Sequence, residues 1–345
     1  MTKTARMASA LLLGFAHFLV DLTCHALLTY AMYHYADIPL LWAVVLYNGL
    51  AFAFQLPIGA LADVLGSTRG FSALGCALVA IACLLPSSLA VCLVAGIGNS
   101  LFHVGGGRES LLLSDGRFAQ IGLFVAPGAL GVLFGPRIIS ILWLYRLALP
   151  GLLLLLAAVF HLTSAKSVRF TNDRSASLSR RKKLVILLCM FLTVFLRAYM
   201  GTIIHYEVAG FPFALIMTLC VFLGKLSGGL LADRLGAFRF TLIAQVLGLA
   251  LYLGSLSCPY LALPASLLFN TTMAITAFSL FRLCPQLAGS MFGVTTVALY
   301  LGSLPRMLRL PSLFFNWWGL SLIGVMSISL LLLGLRFSEG GASDD

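Results

Sequence analysis

Apolar runs of about 20 residues recur along the whole chain, separated by short polar breaks. A helix of that length crosses roughly 30 Å of hydrocarbon. Alternating segments of about 10 residues, which a membrane barrel requires, are not found. Twelve runs lie near 7–33, 40–64, 70–86, 89–111, 119–138, 143–163, 184–204, 211–233, 237–256, 259–281, 287–304 and 313–335. The fifth and sixth nearly merge, so a count of eleven stays open. The pattern predicts an all-α polytopic membrane protein of twelve transmembrane helices in two six-helix bundles. The first run is interrupted by His17 and Asp21 and lacks a small-residue cleavage site, so it is read as a retained helix.

The one long polar stretch, Ser164 to Lys183, carries Lys166, Arg169, Arg174, Arg180, Arg181, Lys182 and Lys183 against Asp173. It has too few apolar residues to bury a core and reads as a flexible linker. The expected organisation is a first bundle over 1–163, a basic cytoplasmic linker over 164–183, a second bundle over 184–336 and a cytoplasmic tail over 337–345.

Composition agrees. Hydrophobic residues make up 61% and charged residues 10%, with a mean hydropathy of +1.04, whereas a soluble domain is roughly a quarter charged. The net charge of +11 is read as the excess of Lys and Arg on the cytoplasmic side of membrane proteins, not as a nucleic-acid surface. Placing the N-terminus inside puts 16 of the 22 Lys and Arg on that side. The expected location is a cell (inner) membrane with both termini cytoplasmic. The eight cysteines form no CxxC pair and read as small buried hydrophobes.

The halves carry a repeat. Gly59-Ala-Leu-Ala-Asp63-Val-Leu-Gly66-Ser-Thr-Arg69 follows the second run, and Gly229-Leu-Leu-Ala-Asp233-Arg234-Leu-Gly236-Ala-Phe-Arg239 follows the eighth, at a constant offset of 170 residues. Two six-helix units related by an axis along the membrane normal are a transporter architecture, with the solute site near the midplane. The glycines permit turns and close approach. Asp63 and Asp233 are expected to meet Arg69, Arg234, Arg239 or a neighbouring helix N-terminus and to gate the cytoplasmic side. Arg108 and Glu109, near the same end, read as a gate salt bridge or as a solvated helix end.

At these loops the chain resembles the major facilitator superfamily. The first copy departs from the family pattern at Val64, and the second keeps the basic residue as Arg234. A narrower resemblance, to the fosmidomycin-resistance-like efflux branch, rests on Ala16-His17-Phe-Leu-Val-Asp21, Gly98-Asn-Ser-Leu-Phe-His103 and Gly122 through Gly135-Pro136. The superfamily resemblance implies a secondary transporter working by alternating access, and the fifth-run glycines modestly favour antiport.

Within the runs, His17, Asp21 and His25 share one helix stripe about 12 Å long. Ionisable groups at membrane depth are costly and default to function. Asp21, His17 and His25 are therefore proton-coupling candidates, and the same three are an alternative divalent-metal site. A purely structural cluster is the bland reading. Asp21, His25, Asn99, His103, Arg197 and Tyr199 are candidate substrate-binding residues. Gly105, Gly106 and Gly107 are expected to break the fourth helix beside a cavity. Arg197 needs a counter-ion, an anionic solute or water, and Asp21 is a candidate partner across the cavity. Lys225 could reach the same region or snorkel to the cytoplasmic face. No nucleophile elbow, zinc-protease motif or nucleotide loop occurs. The reading is a non-enzymatic, cofactor-free, monomeric transporter, with protons, a small organic solute and the bilayer as partners and export as direction. The alternatives are a divalent-metal transporter, a lipid flippase and a non-transporting receptor.

Overall fold

The computed structural model describes residues 2–35, 37–141, 144–163, 178–204 and 210–339. Most of the linker, including Lys166, Arg169, Asp173 and Arg174, and the tail from 340 onward lie outside the described residues. The described residues contain helices and no strand. Ten stretches are long and apolar enough to cross a membrane, and two shorter apolar helices, Arg69–Ala82 and Arg146–Leu162, coincide with the third and sixth expected runs. Every one of the twelve runs thus has its helix.

Contacts divide the chain into two compact units. One comprises Met1–Leu113, Leu123–Arg169 and Leu287–Val297, and the other Ser114–Gly122, Phe170–Gln286 and Ala298–Asp345. Each chain half lends the other's unit one short segment, and both segments belong to the fifth span of their half.

In the first unit the helices are α1 (Lys3–His34), α2 (Leu40–Asn48), α3 (Gln55–Leu65), α4 (Arg69–Ala82), α5 (Ser88–Leu112), α7 (Gly128–Phe134) and α8 (Leu149–Leu162). α5 is central and packs on α1, α2, α3 and α4. It begins sharply because the loop residue Asp37 caps it. Ser87 Oγ donates to Asp37 at 2.6 Å, as does the Ser88 amide, also at 2.6 Å. These donors, the Ser87 hydroxyl first, hold the exposed Asp37 carboxyl well below the usual carboxylate range.

The expected break in the fourth span is not there. α5 runs unbroken through Gly105, Gly106 and Gly107. The glycines serve close packing instead, since a Cβ at Gly105 would collide with Ser72 and the Thr68 carbonyl. The broken helix lies in the fifth span, where α6 (Ala119–Val125) ends before Pro127 and α7 starts at Gly128. Proline supplies no amide and disrupts the preceding turn.

The second unit holds the start of α6 up to Gly122, with α9 (Arg180–Ile203), α10 (Phe211–Leu235), α11 (Ala237–Gly254), α12 (Ala262–Asn270), α13 (Thr272–Leu283) and α15 (Trp317–Glu339). α14 (Ala288–Met307) starts in the first unit and continues in the second. Met200, Leu249, Tyr252, Phe269, Leu320 and Ile323 form the apolar core of the second unit. The tenth span is interrupted at Thr271, between α12 and α13. In both units large apolar side chains such as Leu155, Ile243, Leu247 and Leu322 point outward. Such faces suit lipid, where each helix satisfies its own backbone groups.

Candidate functional site

The first-span stripe turns its polar side into the first unit. His17, Asp21, Asn99 and His103 are all buried. Asp21 Oδ2 lies 3.1 Å from His17 Nε2, Asp21 Oδ1 accepts from Asn99 Nδ2 at 3.0 Å, and His103 Nε2 lies 3.7 Å from Asp21 Oδ1. The two imidazoles meet edge to face, with Nε2 atoms 2.8 Å apart.

The protonation pattern follows from the other ring nitrogens. His17 Nδ1 is 2.7 Å from the Phe124 carbonyl oxygen, and His103 Nδ1 is 2.9 Å from the Asn99 carbonyl oxygen. A carbonyl oxygen only accepts, so both Nδ1 atoms carry hydrogen. Two neutral rings would then face each other lone pair to lone pair, beside a carboxylate. One cation resolves this. A proton on either Nε2 makes an imidazolium that donates toward the other ring and toward Asp21, and the set becomes neutral.

The same geometry fits a divalent ion. His17, Asp21 and His103 offer ligand atoms all within 4.8 Å of one another. Tetrahedral zinc with bonds of about 2.0 Å has ligand–ligand edges of about 3.3 Å; here the two Nε2 atoms are 2.8 Å apart, and the Asp21 carboxylate approaches His17 through Oδ2 at 3.1 Å and His103 through Oδ1 at 3.7 Å. An Nδ1–H resting on a backbone carbonyl is also what usually orients a histidine ligand, and both rings have it. His25, expected in the alternative metal set, is not in this group and His103 takes its place. One turn further along α1, His25 lines a separate cavity of about 670 Å³ with Met32, Tyr33 and Asn48.

Two residues of this cluster were not among the candidates from sequence. Gly128, at the start of α7, sits so close that a Cβ there would strike His17 Nε2 and Asp21 Oδ2. Phe124 contributes its carbonyl, in the last turn before the Pro127 break. The small-residue stripe of the fifth span was the available signal, but it was read as close packing and a leaning to antiport, not as a neighbour of the first-span stripe.

The signature loops separate into two devices. Asp63 accepts from Arg108 Nε at 3.0 Å, the Gly289 amide at 2.9 Å, and the Ser290 amide and hydroxyl at 2.8 Å each. It thus binds the N-terminus of α14, where an anion is favoured by the helix dipole. Gly59 lets the backbones touch, because a Cβ would collide with the Gly289 carbonyl. Arg69 does not meet Asp63. It grips Glu109 through Nε and Nη2, with Nη2–Oε1 at 2.8 Å, and also donates to Ser9 Oγ at 3.2 Å and the Thr163 carbonyl at 2.6 Å. Arg108 and Glu109 are buried, at 7% and 4% exposure, so neither forms a solvated helix end.

The second copy is simpler. Asp233 accepts from the Phe118 amide at 2.9 Å and the Ala119 amide at 3.1 Å, and Gly229 abuts the Phe118 carbonyl. Arg234 and Arg239 are exposed and, among the described residues, pair with no carboxylate. The reason is readable at the repeat offset: Phe278 and Ser279 stand where the first half has Arg108 and Glu109. Gly66 and Gly236 both take positive φ, at 66° and 85°, as the loop turns demand.

Arg197 belongs to the second unit. Its Nη1 donates to Thr272 Oγ1 at 2.5 Å and Nη2 approaches Met273 Sδ at 3.1 Å. With Lys225 it lines a cavity of about 190 Å³. Tyr199 points elsewhere, against Phe314.

No known protein-family profile matches the sequence, and no curated protein matches it. Solved structures do match. The chain is similar to a single-site variant of the E. coli fucose:proton symporter FucP, with a TM-score of 0.66 and 16% identity over 96% of this chain and 98% of that one. It is similar to FucP in the outward conformation, described as a major facilitator superfamily transporter, with a TM-score of 0.65 and 17% identity over 96% and 98% of the two chains. It is also similar to the human organic anion transporter MFSD10 (TETRAN), with a TM-score of 0.66 and 16% identity over 98% and 100%. Together with the duplicated loops and the twelve helices, these likenesses establish that the chain has the fold of the major facilitator superfamily transporters.

Proposed function

We propose that this protein is a secondary transporter that moves a small organic solute by alternating access, coupled to protons through His17, Asp21 and His103. The observation that carries the reading is the buried imidazole pair with facing Nε2 atoms beside Asp21. It requires one cation, and a proton on either Nε2 supplies it. Losing that proton makes the 2.8 Å contact repulsive and loosens α1 from α5, which couples proton release to helix movement. Asp63 and Asp233 on their helix N-termini are contacts that form and break in each cycle. Export, insertion in an inner membrane with both termini cytoplasmic, and a monomeric state are the remaining parts of the proposal. The branch resemblance and the loop charges support the first two.

The test uses protein in liposomes loaded with a pH-sensitive dye, and a solute chosen by thermal-stabilisation screening, since a ligand of the native state raises its melting temperature. An imposed pH gradient should drive accumulation of that solute in the wild type and not in Asp21→Asn or His103→Ala. Wild-type accumulation by Asp21→Asn would sink the coupling role. Divalent-metal transport is the second reading, favoured by the ligand triangle of His17, Asp21 and His103. Calorimetric titration with zinc separates the two: saturable binding abolished by His103→Ala but untouched by His25→Ala favours the metal.

A further inference from the structure

Arg197 and the cavity it enters play no part in the proton-binding cluster, yet they have an electrostatic requirement of their own. A guanidinium has five N–H donors and stays charged at any physiological pH. Among the described residues Arg197 meets only a hydroxyl and a thioether. The Thr272 hydroxyl gives its own hydrogen to the Phe269 carbonyl at 3.0 Å, which leaves its lone pairs for Arg197. Neither neighbour offsets a positive charge inside a membrane span. Lys225 lines the same cavity, and among the described residues no lining residue is acidic. Arg197 reaches the one-residue interruption at Thr271 between α12 and α13. The Arg197 guanidinium therefore faces this small cavity with no carboxylate partner among the described residues. Tyr252, Phe269, Met273 and Leu299 supply its apolar wall.

We propose that this cavity binds the anionic group of an organic solute, with the Arg197 guanidinium as its counter-ion and the apolar wall holding the adjoining carbon body. The volume of about 190 Å³ suits a carboxylate on one small ring. Calling this ligand a transported substrate rests on the transporter reading above, but the binding itself does not.

Three matched probes test it on the full-length protein in detergent: benzoate, benzyl alcohol and benzylamine, each titrated by calorimetry. Benzoate should bind saturably and about tenfold or more tighter than the other two, the margin set by one buried charge-assisted hydrogen bond. Arg197→Gln should weaken benzoate by a similar factor, and Arg197→Lys should restore part of it. Leu299→Trp fills the cavity while leaving both charges, and it should also lose benzoate. This variant and the wild-type probe series stand if Arg197→Gln fails to fold. Benzyl alcohol binding as well as benzoate, unchanged benzoate affinity in Arg197→Gln, or no benzoate binding to the wild type would each overturn the proposal. Benzoate binding that persists in Asp21→Asn while gradient-driven transport is lost keeps the subsite separate from the coupling site. Proton-driven flux of a solute without any benzoate binding overturns the subsite alone.

Discussion

At the scale of single residues, the arrangement turns on which nitrogen carries hydrogen. His17 and His103 each commit Nδ1–H to a backbone carbonyl, so their Nε2 atoms have no choice but to compete for one cation. Gly128 holds this contact tight by having no side chain. In Gly128→Ala the added methyl would press on His17 Nε2 and Asp21 Oδ2. Gradient-driven transport in liposomes should fall by about tenfold or more, the cost of displacing a site by about an ångström, while size-exclusion behaviour stays wild type. Full activity in Gly128→Ala would mean that the cluster does not need this geometry. The stripe of His17 and Asp21 was legible in the sequence because α1 repeats on the helical period. The partnership with His103 was not, because it depends on how α1 packs on α5, and nothing local to either span encodes that. His25 shares the stripe yet looks into another cavity, since one further turn of α1 carries it past the region packed against α7.

At the scale of elements, helix ends and breaks set the positions. Asp37 fixes the start of α5, the helix that carries Asn99, His103, Arg108 and Glu109. Its carboxyl is depressed in the folded state. Its contribution to stability is therefore complete above the unfolded value of about 4. It is lost as pH falls through the lower folded value. Asp37→Asn should lower the melting temperature by a few degrees at pH 7, and the difference from wild type should shrink toward pH 3. A constant difference across that range would show that the charge is irrelevant to the cap. A break was expected in the fourth span because three consecutive glycines weaken a helix; it lies instead in the fifth span, at Pro127 and Gly128. In the packed protein, close neighbours on α4 and α6 favour an unbroken helix at the glycines, whereas nothing replaces the amide that Pro127 lacks.

At the scale of the whole molecule, the offset of 170 residues made the duplication and the helix count readable, and the loop aspartates with them. It did not reveal that the halves use their copies differently. Arg69 ties three spans of one unit together through Ser9, Glu109 and Thr163, while Asp63 holds the start of α14. The two should separate experimentally. Glu109→Ala leaves Arg69 without its buried partner and should cost about 3 kcal/mol of stability, read as an earlier thermal transition. Asp63→Asn should instead speed hydrogen exchange in peptides spanning 286–297, with little change in the core of α5. Equal protection of that segment in wild type and Asp63→Asn would remove Asp63 from the gate.

The facing imidazoles carry a consequence for membrane voltage. With its cation, the set of His17, His103 and Asp21 is neutral; emptied, it keeps the single negative charge of Asp21. An electric field therefore does no work on the occupied cluster, but acts on the vacant one with about 2.3 kcal/mol per 100 mV for a full crossing. Voltage should accordingly weigh on the return of the empty carrier and spare the loaded step. Charge movements recorded on supported membranes should pass in Asp21→Asn from the empty to the occupied state, because that variant is neutral when vacant and carries one positive charge with its cation.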